Sequence, residues 1–387
     1  MKLGMKQAEA AIAILGIGTS VPDYRLDQAD TSQRLTQALS ELPDSARWVK
    51  RLFKQCGVET RYTCEPNLLE SADNCRYFSQ RSDHSVPSTA ERMETYKRES
   101  VPLGLKAARK ALADGKVEPS TITHLITVSC TGQFLPGLDA ALVQQLGLAV
   151  TVNRIPLNFL GCAAGLKAVC LSRQIVASDS SAKVLIVCVE LCTLHIQPSS
   201  EREALFGASF FGDGASSCVV GAAESNLHGL FQLGNDHSIL LPDSAEEMVW
   251  EVGNYGFDLY LSTNIPKLIG RFIPEQIEHL IRGGHKPELW AIHPGGKGII
   301  DTLEDLYGLT QEQTLPSRTV LRNYGNMSSA TILFVLHEMR QGLISRGSGP
   351  TAGIALAFGP GLTCEMIQIA YRPPVTLEEQ LLNEAHA

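Results

Sequence analysis

Four continuous runs of apolar residues, each bounded by glycine, proline or polar residues, dominate the hydrophobic pattern of this chain. Runs of this kind are typical of strands that are buried on both faces of a sheet. Segments in which apolar residues recur at helical spacing lie between them, as at 138–147 and 298–307. The alternation predicts a layered α/β architecture. The four predicted strands cover residues 124–130, 183–190, 288–294 and 353–359.

A pattern of strand, turn and helix occurs twice, and the two copies are 164 residues apart. The segment "HLITVSCTG" starts at His124, and its counterpart "ELWAIHPGG" starts at Glu288. The same offset matches "LGCAAG" with "YGNMSSA" and places Cys162 opposite Asn326. Two motif pairs at one offset indicate a duplicated unit. Two halves related by a pseudo-twofold axis would bring both helix starts, and the strand end at His293, into one pocket.

A cysteine in the segment "NFLGCAAGLKAVCL" is a candidate nucleophile. Cys162 precedes small, helix-forming residues, so we expect it at or near the first turn of a helix. Unpaired backbone N–H groups and the positive end of the helix dipole favour a thiolate there. The alternative is a buried structural cysteine, which is the commoner role of this residue type in an intracellular chain.

His293 and Asn326 are candidate partners for this thiol. His293 ends a predicted strand ahead of a proline and two glycines, in the kind of loop where catalytic groups collect. Nine other histidines compete with it for that role. Asn326 has the alternative role of a helix cap. The glycine turns "FFGDGASS" and "AFGPGLT" bring backbone close to a neighbouring group or are ordinary tight turns.

Composition argues against several classes of function. The chain of 387 residues has a net charge of −8 and a pI near 5.7, so no basic field favours nucleic acid or an anionic membrane. The apolar run at 11–18 is too short to span a bilayer and is predicted to be a buried strand. No phosphate-binding GxxxxGK[ST] loop occurs, and Val21 replaces the third glycine of a dinucleotide fingerprint. The ten cysteines form no CxxC pair, which predicts reduced thiols, a cytoplasmic protein and no metal.

Five motifs occur in the order and at the spacings of one enzyme family. They are "GCAAGLKA", "FFGDGASS", "IHPGGKGI", "NYGNMSSA" and "AFGPGLTCE", and the similarity extends over about residues 11–370. The chain resembles the type III polyketide synthases, the chalcone synthase-like enzymes of the thiolase superfamily. The resemblance implies the thiolase fold, five layers in the order αβαβα, in a homodimer. Its two pseudo-duplicated halves would be residues 1–226, with the nucleophile, and residues 227–387, with the histidine and asparagine.

The resemblance also implies the site residues. Cys162 resembles the nucleophile of the family, His293 its catalytic histidine and Asn326 its catalytic asparagine. Phe211 resembles the phenylalanine that gates the pocket, whereas Leu259 replaces the second gate phenylalanine. Plant members have threonine at two further pocket positions and glycine at a third, so a flavonoid product is not expected here. In this chain the further pocket positions are occupied by Cys130, Cys192, Trp250 and Ser328.

The dimer interface and the coenzyme A site follow from the same resemblance. Leu135 matches the residue that crosses the interface in the family. The alternative for the basic segment "VKRLFKQ" is a solvated helix face. The coenzyme A site is expected at Lys50, Arg51, Lys54, Gly295 and Gly296.

The implied reaction is an iterative decarboxylative Claisen condensation of malonyl-CoA onto an acyl-CoA starter, followed by cyclisation, without a metal or an organic cofactor. Bacterial members that accept fatty acyl starters resemble this chain around "MVWEVGNYGFDLYLS". The expected starter is therefore a medium- to long-chain acyl-CoA, and the expected product is an alkylpyrone or alkylresorcinol. The alternatives are a tetrahydroxynaphthalene-type synthase that uses malonyl-CoA alone, an initiating ketoacyl-carrier-protein synthase, and a catalytically inactive scaffold.

Overall fold

The computed structural model describes residues 11–78, 86–197, 199–223, 229–284 and 286–374. Within these ranges, thirteen strands and ten α-helices form a mixed α/β structure. The strands are β1 (Ile12–Ser20), β2 (Tyr24–Asp27), β3 (Thr60–Thr63), β4 (His124–Ser129), β5 (Asn153–Asn158), β6 (Val184–Leu191), β7 (Asp213–Ala222), β8 (Leu230–Leu240), β9 (Met248–Gly253), β10 (Gly256–Leu261), β11 (Leu289–Ile292), β12 (Thr351–Gly359) and β13 (Thr363–Arg372). The helices are α1 (Gln28–Ala38), α2 (Pro43–Gln55), α3 (Thr89–Asp114), α4 (Leu138–Leu146), α5 (Ala164–Ser178), α6 (Arg202–Phe210), α7 (Ile265–Ile281), α8 (Lys297–Tyr307), α9 (Gln311–Tyr324) and α10 (Thr331–Ser345).

Nine strands form one mixed sheet in the order β11-β12-β13-β8-β1-β7-β6-β4-β5. In the first group of strands, β5, β4 and β6 are parallel, and β7 is antiparallel to both β6 and β1. In the second group, β11 and β12 are parallel, and β13 is antiparallel to both β12 and β8. The two groups join through a short ladder between β1 and β8, in which Ala13 pairs with Gln232 and Ile14 with Phe231.

Helices α5 and α10 lie between the two groups of strands. α5 contacts β6 and β7 of the first group and β12 and β13 of the second, while α10 contacts β1, β7 and β11. Helices α3 and α4 pack against the outer face of the first group, and α7 and α8 against that of the second. The layers therefore follow the order helix, strand, helix, strand, helix, which confirms the αβαβα prediction.

The hydrophobic pattern predicts the principal elements correctly. The four long apolar runs form β4, β6, β11 and β12, and the run at 11–18 forms most of β1. The helical segments predicted at 138–147 and 298–307 are α4 and α8. These elements are buried and regular, so their sequence periodicity is strong.

The two halves of the chain depart from an exact repeat in two respects. α5 and α10 are both 15 residues long and follow a 3-10 turn, but they begin 167 rather than 164 residues apart. After α4 the chain forms β5, whereas after α8 it forms α9, so the described part of the second half has no counterpart of β5. The expected boundary between residues 226 and 227 lies outside the described residues, and the division stays a prediction.

Candidate active site

The chain reaches Cys162 through residues in the left-handed backbone region. After β5, Phe159 has a φ of 59° and Gly161 a φ of 66°. A Cβ atom on Gly161 would lie 2.1 Å from Cδ of Pro360, so glycine is required there for both conformation and space. Cys162 follows within a 3-10 turn directly before α5. This confirms its predicted position at a helix start.

Asn326 lies in the turn that follows α9. Gly325 has a φ of 69° and turns the chain away from the helix. The Asn326 N–H donates to the carbonyl of Phe210 at 2.8 Å, and the Asn326 carbonyl accepts from the Gly212 N–H at 3.0 Å. Two main-chain hydrogen bonds therefore attach Asn326 to the segment that carries Phe211.

The side-chain amide of Asn326 is oriented toward the thiol. Its Oδ1 accepts a hydrogen bond from the Ser328 N–H at 2.8 Å, and its Nδ2 donates to the Gly295 carbonyl at 3.3 Å. The same Nδ2 lies 3.9 Å from Sγ of Cys162. Asn326 thus caps the following turn with its oxygen and presents its N–H group to the candidate nucleophile, which combines the two roles considered from sequence.

His293 directly follows β11 and is completely buried. Its N–H donates to the Leu356 carbonyl at 2.9 Å, and its carbonyl accepts from the Gly295 N–H at 2.9 Å. Neither ring nitrogen has a hydrogen-bond partner among the described residues. Burial lowers the pKa of the imidazole to about 3, so the neutral ring has one N–H donor and one lone pair. Leaving a buried polar group without a hydrogen-bond partner costs free energy. The two unpaired ring nitrogens are therefore typical of a histidine whose partner is a substrate.

The three side chains line one cavity, as the sequence predicts. This cavity encloses about 710 Å³ of space, part of it open to solvent. Its lining is predominantly apolar. The predicted site residues found there are Cys130, Cys162, Phe211, Trp250, Leu259, His293, Gly295, Asn326 and Ser328. Sequence reasoning missed Phe159, Gly161, Met248, Leu261, Ile299, Phe358 and Pro360.

The electrostatics of Cys162 differ from the expectation of a helix-stabilised thiolate. Burial raises the pKa of its thiol to about 11, although hydrogen bonds with Ser328 and Asn326 oppose this effect. The carboxyl group of Glu190 contributes to raising this pKa. Burial therefore outweighs the helix start. Since burial also disfavours a charged His293, transfer of the thiol proton to the imidazole would form a net-neutral ion pair, which is less costly to bury than either charge alone.

Glu190 is a second buried group at this site. Its carboxyl accepts hydrogen bonds from the Thr131 hydroxyl at 2.7 Å, from the Cys130 N–H at 3.1 Å and from the Ser329 hydroxyl. Burial raises its pKa. The Cys130 thiol lies 3.3 Å from Glu190 and 3.0 Å from the Ser328 hydroxyl. Sequence reasoning missed Glu190, although a single acid within the apolar run "VLIVCVELC" was a signal for it.

Phe211, Trp250 and Leu259 form one wall of the cavity, here called the cavity wall. Trp250 and Leu259 are a register pair of the β9–β10 hairpin. The ring of Phe211 meets the indole of Trp250 edge-on, with centroids 6.1 Å apart. The indole N–H is buried without a hydrogen-bond partner in the described chain, so packing alone holds the ring.

A second pocket lies behind the cavity wall, because the three wall residues also line it. Cys192, which the sequence predicts in the main cavity, lines this second pocket instead. The predicted position of Cys192 is therefore corrected, because the cavity wall lies between Cys192 and the main cavity. Further along, the second pocket is lined by the polar side chains of Glu201, Glu203 and Asp258.

The predicted coenzyme A residues lie in two places. Gly295 lines the cavity, and Gly296 is the N-cap residue of α8. The three basic residues do not line the cavity: Lys50 and Lys54 line a separate groove beside α1, and Arg51 is exposed. Their assignment to coenzyme A stays a prediction.

None of the helices in the described ranges has the length and apolar character that a membrane span requires.

Comparison with known proteins gives consistent matches along most of the chain. Residues 2–224 match the N-terminal domain of chalcone and stilbene synthases, and residues 232–372 match their C-terminal domain. The C-terminal type III polyketide synthase domain of Steely1, a type I/III hybrid from Dictyostelium, is 26% identical with a TM-score of 0.84. That similarity covers 94% of this chain and all of that one. PKS-I from the brown alga Ectocarpus siliculosus is 25% identical, covering 95% of this chain and all of its own, with a TM-score of 0.85.

This chain belongs to the chalcone and stilbene synthase family. Both solved relatives share its thiolase-like architecture over their full lengths. It is accordingly an acyltransferase of the type III polyketide synthase class, in a family that uses coenzyme A thioesters. The alternatives of a carrier-protein-dependent initiating synthase and of an inactive scaffold are therefore not retained.

Proposed function

We propose that the enzyme condenses malonyl units onto a medium- to long-chain acyl-CoA starter, with Cys162, His293 and Asn326 as its catalytic residues. The observation that carries this proposal is the convergence of a thiol, an unpaired imidazole and an oriented amide on one apolar cavity. The starter is carried by the thiol, and the two nitrogen groups act on the malonyl thioester. No cofactor is invoked, because the thiol and the β-carboxylate supply the reactivity.

In the loading step, His293 accepts the Cys162 proton as the sulfur attacks the thioester carbonyl of the starter. The imidazole has an available lone pair at neutral pH, since burial lowers its pKa to about 3. The resulting ion pair is transient. Collapse of the tetrahedral intermediate expels coenzyme A thiolate, which takes the proton from the His293 imidazolium, and leaves an acyl–Cys162 thioester.

In the extension step, malonyl-CoA loses carbon dioxide and forms an enolate at its thioester. The N–H of His293 and the Nδ2–H of Asn326 donate to the enolate oxygen, each contributing about 3 kcal/mol. The enolate carbon attacks the acyl–Cys162 carbonyl, and the Cys162 thiolate leaves as the new carbon–carbon bond forms. The extended chain, now a coenzyme A thioester, is transferred back to Cys162 with release of coenzyme A, and repetition lengthens it until cyclisation within the cavity releases the product.

Replacement of Asn326 by alanine tests the division of these tasks. Asn326→Ala is expected to lower malonyl-CoA decarboxylation by about 10²- to 10³-fold, because one enolate donor is lost. Starter loading should fall less, because the thiol and the imidazole remain. Carbon dioxide release and acyl-enzyme formation, the latter followed by mass spectrometry, measure the two steps separately. Equal losses in both would contradict the proposed role of the amide.

The proposal of an alkyl starter rests on the apolar lining. Met248, Leu259, Leu261, Ile299 and Phe358 surround the reacting groups with hydrocarbon. The second pocket lies directly behind the cavity wall, where Trp250 is held by packing alone. A shift of the indole would connect the two spaces, and the small side chain of Cys192 leaves room on the far side. The expected products are alkylpyrones or alkylresorcinols.

Replacement of either pocket cysteine by phenylalanine tests the path of the alkyl chain. Cys192→Phe should fill the second pocket and remove activity with long starters, while acetyl-CoA remains a substrate and serves as the internal control. Cys130→Phe should shorten the accepted starter more severely, because Cys130 lines the main cavity. Product analysis over acetyl- to palmitoyl-CoA measures both effects. Turnover independent of starter length would instead favour synthesis from malonyl-CoA alone.

We also propose a cytoplasmic homodimer. Leu135, which matches the interface-crossing residue of the family, is 93% exposed in the single chain. The neighbouring strand β5 is largely exposed at the edge of the sheet. Both features suit coverage by a second copy.

A further inference from the structure

Arg61, on the two-stranded β2–β3 ribbon, is a completely buried cation close to the active site but outside the cavity lining. Its Nη1 donates to the Ala208 carbonyl at 2.8 Å and to the Phe211 carbonyl at 2.7 Å. The other two guanidinium nitrogens have no hydrogen-bond partner in the described ranges. Burying a charge that is only partly compensated is expensive. If Arg61 served packing alone, an apolar side chain would occupy the same space at a lower free-energy cost.

The aliphatic part of Arg61 packs against the turn that carries Asn326. A Cβ atom on Gly325 would lie 2.9 Å from Cγ and 3.0 Å from Cδ of Arg61. A Cβ atom on Gly212 would lie 3.3 Å from Cβ of Arg61. The arginine therefore occupies the space that two glycines leave open, beside the isolated bridge between Phe211 and Asn326.

The residues around Arg61 hold the same turn from one side. The Glu59 N–H donates to the Arg322 carbonyl at 2.8 Å, and the Thr60 hydroxyl donates to the Asn323 carbonyl at 3.0 Å. The ring of Tyr62 stacks on Tyr324, with centroids 5.9 Å apart. Residues 59–62 thus contact each of the residues 322–325 that lead into Asn326, and we call this segment the β3 brace.

We infer that Arg61 is a positioning residue for the condensation, because it fixes the Asn326 turn and the Phe211 carbonyl in one arrangement through the β3 brace. It does not contact the reacting atoms. The Asn326 amide must point at the enolate oxygen, and a displacement of about 1 Å at such a group can cost about a hundredfold in rate. Decarboxylation should therefore depend on Arg61 more strongly than starter loading does. This inference rests on the proposed role of Asn326.

The test compares the two half-reactions in Arg61→Met, which keeps the length of the side chain but removes its charge and donors. Decarboxylation is expected to fall at least about tenfold while starter loading falls less than about threefold. Arg61→Lys should recover part of the loss, because a cation and a donor return. Arg340→Met is the matched control: Arg340 is also buried, is paired with Asp114 at 2.7 Å, and lies on α10. It should lower the melting temperature without changing the ratio of the half-reactions.

Several outcomes would overturn the inference. They are an unchanged ratio in Arg61→Met, a lysine variant no better than the methionine variant, or a change of ratio in Arg340→Met of the same size. If Arg61→Met does not fold, Arg61→Lys and Thr60→Val replace it, and an unchanged ratio of the half-reactions in both contradicts the β3 brace.

Asn326→Ala distinguishes a failure of the proposed function from a failure of the positioning role. If that variant leaves the ratio unchanged, the proposed function fails, whereas a change there without one at Arg61 rejects only the positioning role.

Discussion

Cys162→Ala is expected to abolish polyketide formation, by at least about a thousandfold, because no acyl-enzyme can form without the thiol. The fold should persist, with a melting temperature within about 2 °C of the unmodified enzyme, because only one sulfur atom beside an open cavity is removed. Product chromatography and thermal unfolding measure the two properties. Cys170→Ala is a matched control, since Cys170 lies on α5, the helix that follows Cys162, and is buried in the core.

Two results would decide the role of Cys162. Full synthase activity in Cys162→Ala would reject the mechanism, as would an equal loss in Cys170→Ala. Cys162→Gln adds a positive test, because its side-chain amide resembles a thioester carbonyl. This variant should still decarboxylate malonyl-CoA although it makes no polyketide.

His293→Gln is expected to lower starter loading by about 10²- to 10⁴-fold, because a general base is lost. Decarboxylation should fall less, since the glutamine amide still donates a hydrogen bond to the enolate oxygen. Acyl-enzyme formation and carbon dioxide release distinguish the two effects. His279→Gln, on the exposed face of α7, is the control and should change neither.

The same variant has a pH dependence of defined sign. Burial raises the pKa of the Cys162 thiol to about 11, and a nearby proton acceptor lowers the pH at which the thiol reacts. Alkylation of Cys162 by iodoacetamide should therefore rise with pH, with an inflection at higher pH in His293→Gln than in the unmodified enzyme. Coincident profiles would show that the imidazole does not assist the thiol.

The regular elements were predictable because each carries its own periodic pattern. β4, β6, β11 and β12 are buried on both faces, so their apolar runs are continuous, and α4 and α8 alternate with them. The two halves differ at α9, which follows α8 where β5 follows α4. A capping box of Thr310 and Gln313 starts a helix there, and this local preference overrides the repeat.

The three residues proposed for catalysis could be selected from the sequence, whereas much of their surroundings could not be predicted. Cys162, His293 and Asn326 lie in distinctive glycine-rich motifs, whereas the β3 brace acts through contacts between residues far apart in the chain. Arg61 reaches carbonyls 147 and 150 positions away, and no periodicity marks such a contact. Cys192 was misplaced for a related reason, because the wall that separates it from the cavity comes from a hairpin distant in sequence.

The position of α5 between the two groups of strands has a consequence for synthesis of the chain on the ribosome. α5 emerges early, yet the strands β12 and β13 that it packs against, and the neighbouring helix α10, are translated more than 150 residues later. Until then, the apolar inner surface of the nascent first half lacks its cover. We expect this intermediate to need a chaperone or to wait in a loosely packed state, and the nucleophile to reach its working environment only when translation is nearly finished.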